Sequence, residues 1–428
     1  MTGARLTLAV GIAITVGRAH GALPATAPSI ASRQAVVDVP TPAGDGSGMY
    51  SLAVARDGTV YLGWIDPTVD GGHALAFATL DGNAWSPARP IAAGRDWFVN
   101  WADHPSVVPL SAGSLAAHWL VDNARRRGSY GYGLRVAHSA DAGRSWSESL
   151  RAGVDNVEGY SGFVSLLSLD NGFMAAYLGP PPGWSTSPAP HQERMGLSVA
   201  TFGSDGRLLR DEMVDDDTCT CCPTSLARTD RGPIAAYRDH VDGIRDIAVV
   251  RYRGGRWTRP EPLHRDGWTI NACPTNGPSL AASGDRVAAV WFTAAQDDPR
   301  MLAAFSMNGG DRFGPVVRVD SGRPVGWPGV AMDDDGGAIV SWLQRVGDGN
   351  GEVRIRRVSA DGRLGTPITV AATSPGRSTG VPQLVRSGER LVVAWRTDRV
   401  RTALVPVSAL PALPTANGPR PMKEGNGS

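Results

Sequence analysis

The sequence contains almost no lysine and almost no net charge. Lys423 is the only lysine, and the formal net charge of the 428 residues is +1. A charge balance this close to zero gives no indication of a nucleic-acid partner or an anionic membrane surface. The sequence also lacks a nucleotide-binding loop, a G-x-S-x-G turn and an H-E-x-x-H helix, so the enzyme classes that depend on these motifs receive no support.

Long amphipathic helical stretches are missing as well. The composition instead includes 53 Gly, 32 Pro and 13 Trp. Glycine and proline at this frequency indicate tight turns, and aromatic residues between them indicate short strands. We therefore predict an all-β protein.

The N-terminus has the organisation of a secretory signal. Arg5 precedes the apolar run LTLAVGIAITVG, and the small-residue stretch RAHGALPA follows it. The run is too short to span a bilayer. We predict a signal peptide at residues 1–22, with an uncleaved anchor as the alternative, and a mature protein with no membrane span in the periplasm or outside the cell. We further predict a disordered leader at 23–33, a folded domain at 34–408 and a disordered tail at 409–428.

Internal repetition is the strongest signal in the sequence. Each unit, of roughly 50–60 residues, has an apolar first strand, a turn and a second strand that ends in an aromatic residue. The second strands are VYLGWID, LAAHWLVD, FMAAYLG, PIAAYRD, VAAVWFT, AIVSWLQ and LVVAWRT, and the first strands begin near Tyr50, Pro105, Gly162, Pro223, Pro278, Pro328 and Val381. Small sheets of this kind cover their faces by stacking radially around an axis. We predict a β-propeller of four-stranded antiparallel blades.

Seven units favour seven blades, and six blades is the alternative. The last unit has only three strands, which end at RTALVPVS, and the segment QAVVDVP at 34–40 could supply a fourth. We therefore predict that an N-terminal strand closes the ring.

A second motif occupies the turn between the third and fourth strands. The segment SADAGRSW fits S-x-D-x-G-x-x-W with Ser139, Asp141, Gly143 and Trp146, and a weaker copy contains Ser306, Asn308, Gly310 and Phe313. An acceptor side chain, a glycine at positive φ and an aromatic residue stabilise such a turn. The motif resembles the Asp-box, or BNR repeat, of the sialidase superfamily. With the C-x-C-C stretch, the pattern resembles a group of exported bacterial propellers of this type.

Propeller topology places the loops before each first strand and after each second strand on one face, here called the upper face. The Asp-box turns lie on the opposite, lower face. We expect ligands on the upper face, and its candidate binding residues are Trp101, Asp103, His104, Tyr160, Trp327 and Arg377.

All four cysteines precede the first strands of two neighbouring units. Cys219, Cys221 and Cys222 lie in DTCTCCPTS, and Cys273 lies in NACPTNGPS. Equivalent positions of adjacent blades are close, so we expect the sulfurs to cluster, with His240 nearby. Disulfides fit an exported protein with an even number of cysteines. A thiolate site for Cu(I) or Zn is the alternative, and redox-active or mixed use is a third.

The resemblance to sialidases also implies a catalytic template. Three arginines would hold a substrate carboxylate, a Glu-polarised tyrosine would be the nucleophile, and an aspartate would be the general acid/base. The candidates are Arg238, Arg345, Arg396, Tyr160, Glu158 and Asp239, but the F/Y-R-I-P motif of the family is absent. We therefore expect an exported propeller that binds a glycan, metal or protein ligand on its axial face, with an exo-sialidase as the alternative.

Overall fold

The computed structural model describes residues 35–122, 131–152, 161–181, 195–376, 379 and 381–415. The predicted signal peptide and leader lie outside these residues. Helical structure in the described ranges is limited to short 3-10 turns such as Ser111–Gly113, Ala295–Asp297 and Val407–Ala409. None of the described helices is long and apolar enough to cross a membrane.

The described strands form seven separate antiparallel sheets, as predicted, so the protein is a seven-bladed propeller rather than a six-bladed one. The first three blades consist of Gly48–Val54, Val60–Pro67, His73–Asp81, Ala84–Trp85 and Arg89–Gly94 (blade 1); Ser106–Pro109, Leu115–Asp122, Tyr132–Ser139 and Leu150–Ala152 (blade 2); and Gly162–Leu169, Gly172–Gly179, Met195–Phe202 and Leu208–Thr218 (blade 3).

The remaining blades repeat this arrangement. They consist of Ser225–Thr229, Gly232–Arg238, Ile247–Arg253, Arg256–Trp257 and Glu261–Pro262 (blade 4); Ser279–Ser283, Arg286–Thr293, Arg300–Ser306 and Val317–Arg318 (blade 5); Arg323–Met332, Ala338–Val346, Asn350–Val358 and Ile368–Thr373 (blade 6); and Gln383–Ser387, Arg390–Arg396, Val400–Pro406 and Val37–Val39 (blade 7).

Apolar side chains on both faces of the second strands pack between blades. All eight residues of Gly172–Gly179 are buried, and Trp64, Trp291 and Trp342 are fully buried. A strand covered on both faces reads as a continuous apolar run instead of an alternating one. The core is therefore divided among the contacts between neighbouring blades, and the first strands are left to line the axis.

Blade 7 contains strands from both ends of the described chain. Val37–Val39 pairs with the third strand of this blade, Val37 opposite Leu404 and Val39 opposite Thr402. Past the last strand, Leu410 is still buried, and its backbone N–H donates to the carbonyl of Val407. The first residues of the predicted tail at 409–428 are thus packed on the propeller.

The turn at Ser139–Trp146 lies on the lower face. Gly143 N donates to Ser139 Oγ at 2.8 Å, and Ser145 N donates to Asp141 Oδ1 at 2.9 Å. Trp146 packs edge-on against Phe77 of blade 1, with ring centroids 6.3 Å apart.

The turn at 306–313 has the same pattern, since Gly310 N donates to Ser306 Oγ at 3.0 Å and Arg312 N donates to Asn308 Oδ1 at 3.0 Å. Phe313 packs against the core shared by blades 4 and 5. These turns therefore use the same local hydrogen bonds in two blades.

Candidate functional site

The first strands of all seven blades surround an axial cavity of about 270 Å³. One position of each strand contributes to a ring that we call the hydroxyl collar, because five of its seven members are serines. Each collar residue pairs with the residue that precedes the aromatic of the second strand. The seven are Ser51, Ser106, Ser165, Ser225, Ser279, Gly329 and Gln383.

Asp103 borders this cavity at the upper face and is 5% exposed. Its Oδ2 accepts a hydrogen bond from Phe163 N of the next blade at 2.7 Å. Its Oδ1 has no hydrogen-bond partner among the described residues. Burial raises the pKa of Asp103 to about 7, although the backbone N–H groups that donate to it oppose the shift. The cavity therefore contains a carboxyl group that lacks one partner.

Two histidines lie near Asp103. His104 Nδ1 lies 2.9 Å from the carbonyl oxygen of Tyr50, and its Nε2 lies 3.1 Å from that of Trp101. His118 is fully buried, its Nδ1 lies 2.8 Å from Ser106 Oγ of the collar, and burial lowers its pKa to about 3. Both rings are held by the protein itself.

The two predicted tryptophans also meet at this face. Trp101 and Trp327 pack edge to face, with ring centroids 6.3 Å apart. Trp327 is 4% exposed, and its Nε1 donates to the carbonyl of Thr275 at 3.0 Å. Its indole is therefore part of the packed wall and offers little surface to a ligand.

Three cysteine sulfurs converge between blades 3 and 4. Cys219 Sγ lies 3.9 Å from Cys221 Sγ and 3.5 Å from Cys222 Sγ, and the three sulfurs lie within 4.8 Å of one another. These residues are 1%, 8% and 1% exposed. None of the four cysteines is in a disulfide, and the two sulfur–sulfur distances given above are well beyond the length of about 2.05 Å that a disulfide bond has. Cys273, which is exposed, hydrogen-bonds to Cys221. We call the four residues the thiol cluster.

The thiol cluster favours one ionised sulfur. Hydrogen bonds from Cys221 and Cys222 hold the pKa of Cys219 well below its usual range, and the charges of Arg238 and Arg245 act in the same direction. The hydrogen bonds to Cys219 raise the pKa of Cys221, and burial raises the pKa of Cys222. The thiolate of Cys219 is therefore shared by two protonated neighbours.

Two guanidinium groups lie beside the cluster. Arg245 Nη1 donates to Cys219 Sγ at 3.4 Å. Arg238 is 1% exposed, donates to the carbonyls of Asn276, Arg245 and Phe292, and has its guanidinium carbon 4.7 Å above the ring of Trp268. Within the described ranges, neither arginine forms a salt bridge with a carboxylate. A buried guanidinium needs a counter-charge, and the sulfurs are placed to provide it.

A group of acidic side chains lies on the other side of the same loops. Tyr237 OH donates to Asp215 Oδ2 at 2.5 Å. Burial and the neighbouring Asp215 raise the pKa of Asp239 to about 7. His240 Nδ1 lies 3.1 Å from Asp217 Oδ1, and His240 is outside the group of three sulfurs whose ligand atoms lie together. His240 therefore lies on a loop next to the cysteines, as expected, but its ring nitrogens are not grouped with the three sulfurs.

The three candidate arginines have separate surroundings. Arg238 is enclosed between blades 4 and 5 by the carbonyls named above. Arg396 Nε donates to the carbonyl of Ser47 at 2.9 Å, where blade 7 meets blade 1. Arg345 is exposed at the end of the second strand of blade 6. The described contacts of these three arginines therefore have no partner residue in common. Glu158, Tyr160 and Arg377 lie outside the described residues.

Sequence reasoning missed the hydroxyl collar, His118 and the role of Asn276. A signal for the collar existed, since a serine stands at the same place in SLAVA, PSVVPL, GFVSLL, PTSLA and GPSLAA. No signal marked Asn276, whose Oδ1 accepts from Trp327 N at 2.7 Å and whose carbonyl accepts from Arg238. These contacts join residues of three blades.

Neither a family model nor a curated protein matches this chain. Solved structures match it along most of its length. One of them is a polysaccharide lyase, an ulvan lyase bound to a saccharide, which is 10% identical to this chain. The match covers 88% of this chain and 100% of the lyase chain, with a TM-score of 0.52. A protein of unknown function from Dyadobacter fermentans has 14% identity, with 87% and 99% covered and a TM-score of 0.49.

The NanB sialidase from Streptococcus pneumoniae is also similar in structure. It is 8% identical to this chain, and the match covers 88% of this chain and 95% of the sialidase chain, with a TM-score of 0.44. Of these three likenesses, the one to the ulvan lyase has a TM-score above 0.5, and it is a likeness of the overall fold. Identities this low show the fold alone, and a propeller fold is shared by proteins with many functions.

Proposed function

We propose that this chain is an exported, sialidase-like propeller that binds one soft metal ion, Cu(I), on its upper face through Cys219, Cys221 and Cys222. The observation that carries the proposal is the convergence of three buried sulfurs beside two arginines that form no salt bridge with any described carboxylate. The site belongs to the propeller and needs no added domain, because two neighbouring blades supply its ligands and its charges.

The sulfur separations suit a metal ion. Three thiolates at about 2.3 Å from one ion are separated by about 3.8 Å in tetrahedral geometry and by about 4.0 Å in trigonal geometry. The two sulfur–sulfur distances of 3.5 and 3.9 Å are close to these values. Small side-chain rotations would therefore complete the coordination.

The number of buried ligands favours Cu(I) over Zn(II). Soft thiolates bind both ions, but structural zinc almost always takes four protein ligands, whereas Cu(I) is stable with two or three thiolates. Here three sulfurs are buried and the fourth, Cys273, is exposed. Three thiolates with one Cu(I) carry two net negative charges, which Arg238 and Arg245 would offset. A buried anionic centre is stable when such opposite charges lie beside it.

The test is metal loading of the purified mature protein under anaerobic, reducing conditions. We expect one Cu(I) per chain, a thiolate-to-metal charge-transfer band in the near ultraviolet, and four titratable thiols after removal of the metal. Cys222→Ser is expected to abolish stoichiometric loading, and Ser279→Ala, on the collar, is the matched control that keeps it. A protein that loads no metal and contains two disulfides by mass spectrometry would refute the proposal.

The axial cavity favours a second candidate function, the binding of a small hydroxylated ligand such as the terminus of a glycan. The supporting observation is Asp103, which lines the cavity that the hydroxyl collar surrounds and whose buried Oδ1 has no hydrogen-bond partner among the described residues. A hydroxyl group of a sugar would supply the missing donor. An array of saccharides would test this, with binding expected in the wild type and at least tenfold weaker binding in Asp103→Ala.

Sialidase chemistry receives less support than binding. Arg238, one of the three candidate arginines, donates to backbone carbonyls and is closed to solvent. A fluorogenic sialoside assay decides the question. Turnover that disappears in Arg396→Ala, in protein that remains folded, would restore the exo-sialidase hypothesis.

A further inference from the structure

The thiol cluster is asymmetric in its access to solvent. Cys219 and Cys222 are each 1% exposed and Cys221 is 8% exposed, whereas Cys273 is on the surface together with Asn271 and Ala272. Cys221 hydrogen-bonds to both Cys219 and Cys273. The sulfurs therefore form a path that runs from Cys273 at the surface, through Cys221, to the two buried sulfurs.

The surface thiol is held in place from both sides. Arg245 Nη1 donates to the carbonyl of Ala272 at 3.2 Å and also to Cys219 Sγ, so one guanidinium joins the loops of both blades. On the other side, Asn276 Nδ2 donates to the carbonyl of Pro274 at 3.2 Å. Cys273 thus combines solvent exposure with fixed neighbours, which is unusual for a cysteine that only packs.

The two Cys-Pro-Thr segments also touch one another. A Cβ built on Gly277 would lie 2.0 Å from the carbonyl oxygen of Pro223, so the backbones are in direct contact at this point. The distance between the cysteine of blade 5 and the three of blade 4 is therefore fixed by the contact between blades. A thiol placed in this way can meet a metal ion without rearrangement of the fold.

From this geometry we infer that Cys273 is an exchange ligand, through which Cu(I) enters and leaves the buried sulfurs by transfer to and from a thiol-bearing partner. The inference rests on the proposed metal-binding function. Cu(I) is stable with two thiolates, so Cys273 and Cys221 can hold it at the surface before Cys219 and Cys222 replace Cys273. On release, a thiolate of the partner displaces Cys221 from this pair.

The exchange involves no oxidation or reduction. As copper–sulfur bonds to Cys273 and then to Cys221 form, two copper–sulfur bonds to the partner break, and each departing partner thiolate takes the proton of the thiol that replaces it. Cys219, already a thiolate, and Cys222 then bind the ion as its bond to Cys273 breaks, and the proton of Cys222 passes to Cys273. The same steps in reverse release the ion. A thiol-bearing partner can reach an exposed sulfur but not a buried one, so the partner exchanges the ion with Cys273, and the ion then passes within the protein to the buried sulfurs.

The test measures both directions of transfer with the full mature chain. Cu(I) is supplied as its glutathione complex, and release is followed with excess glutathione and a chromogenic Cu(I) chelator. We expect Cys273→Ser to load one Cu(I) per chain, with loading and release slowed by a similar factor of about tenfold or more and with the affinity within about threefold of the wild type. Ala272→Ser, at the neighbouring exposed position, is the matched control with wild-type rates.

The other outcomes are distinct. Faster release with weaker affinity would make Cys273 an ordinary fourth ligand, and unchanged rates would make it a bystander; either result overturns the exchange role while the metal site stands. Absence of loading in the wild-type protein would instead overturn the proposed function. Circular dichroism of each variant checks that the propeller is folded.

Discussion

Replacement of Asp103 by asparagine tests the electrostatics of the axial cavity. The carboxyl group is buried, and its pKa is about 7 against an ordinary value of 3.8. One pKa unit corresponds to 1.36 kcal/mol, so a difference of about three units makes ionisation of Asp103 cost about 4 kcal/mol of folding free energy. This is a large share of the 5–15 kcal/mol that typically stabilises a domain.

The sign of the effect follows from proton binding. Between pH 4 and pH 7 the folded protein keeps the proton on Asp103, whereas the unfolded chain has lost it. Stability therefore falls as the pH rises through this window, and the loss is complete above pH 7. Asparagine cannot ionise, and its carbonyl oxygen can still accept the hydrogen bond from Phe163 N that Asp103 Oδ2 accepts now.

The assay is urea unfolding of the wild type and Asp103→Asn at intervals from pH 4.5 to pH 8. The variant is expected to gain up to about 4 kcal/mol over the wild type as the pH rises across this range. Asp239, whose pKa is also about 7, remains in both proteins and cancels in the difference. Asp81→Asn, at an exposed position, is the control. Parallel stability curves for the wild type and Asp103→Asn would refute the reasoning.

Three further predictions concern the fold around the site, and each is checked by the urea or thermal midpoint. Arg238→Met leaves three buried carbonyls without donors and is expected to lower the free energy of unfolding by at least about 3 kcal/mol; a loss below 1 kcal/mol would contradict this. Gly143→Ala places a Cβ 2.6 Å from the Phe77 ring at a backbone φ of +79°, and we expect it to lower the free energy of unfolding by about 3 kcal/mol. Gly82→Ala, at a φ of +57° with open space around it, is expected to lower it by about 1 kcal/mol. Equal losses of stability in the two variants would disprove the packing argument. A chain that begins at Thr41 lacks the outer strand of blade 7 and is expected to unfold at a lower temperature and less cooperatively, and an unchanged transition would show that this strand does not close the ring.

The sequence was sufficient for the propeller architecture and the type of strand and favoured seven blades, and the structure decided between seven and six. The run FMAAYLG predicts a strand buried on both faces, and the structure buries every residue of Gly172–Gly179. Seven such runs with intervening turns leave a radial arrangement as the way to cover their faces. The strand and turn patterns are local and repeated, so a single sequence is enough to recognise them.

Contacts between blades could not be derived in the same way. Asn276 directly follows a Cys-Pro-Thr segment that gives no indication of its contacts, yet it contacts Arg238 of one neighbouring blade and Trp327 of the other. Arg238 and Arg396, in turn, each directly follow the aromatic residue of a second strand, yet they have different surroundings. The position of a residue in the repeat determines where its backbone lies in the blade. The packing of adjacent loops determines which residues its side chain contacts.

The cysteines show the division most clearly. The sequence by itself determined that the four thiols belong to neighbouring units and lie before equivalent strands, because position in the repeat gives position around the axis. Only the tertiary structure decided that three sulfurs are buried within 4.8 Å of one another and that Cys273 stays at the surface. It also decided that two arginines lie beside them without a salt bridge to a carboxylate in the described part of the chain. Burial and separation depend on how two blades pack, and no single repeat contains that information.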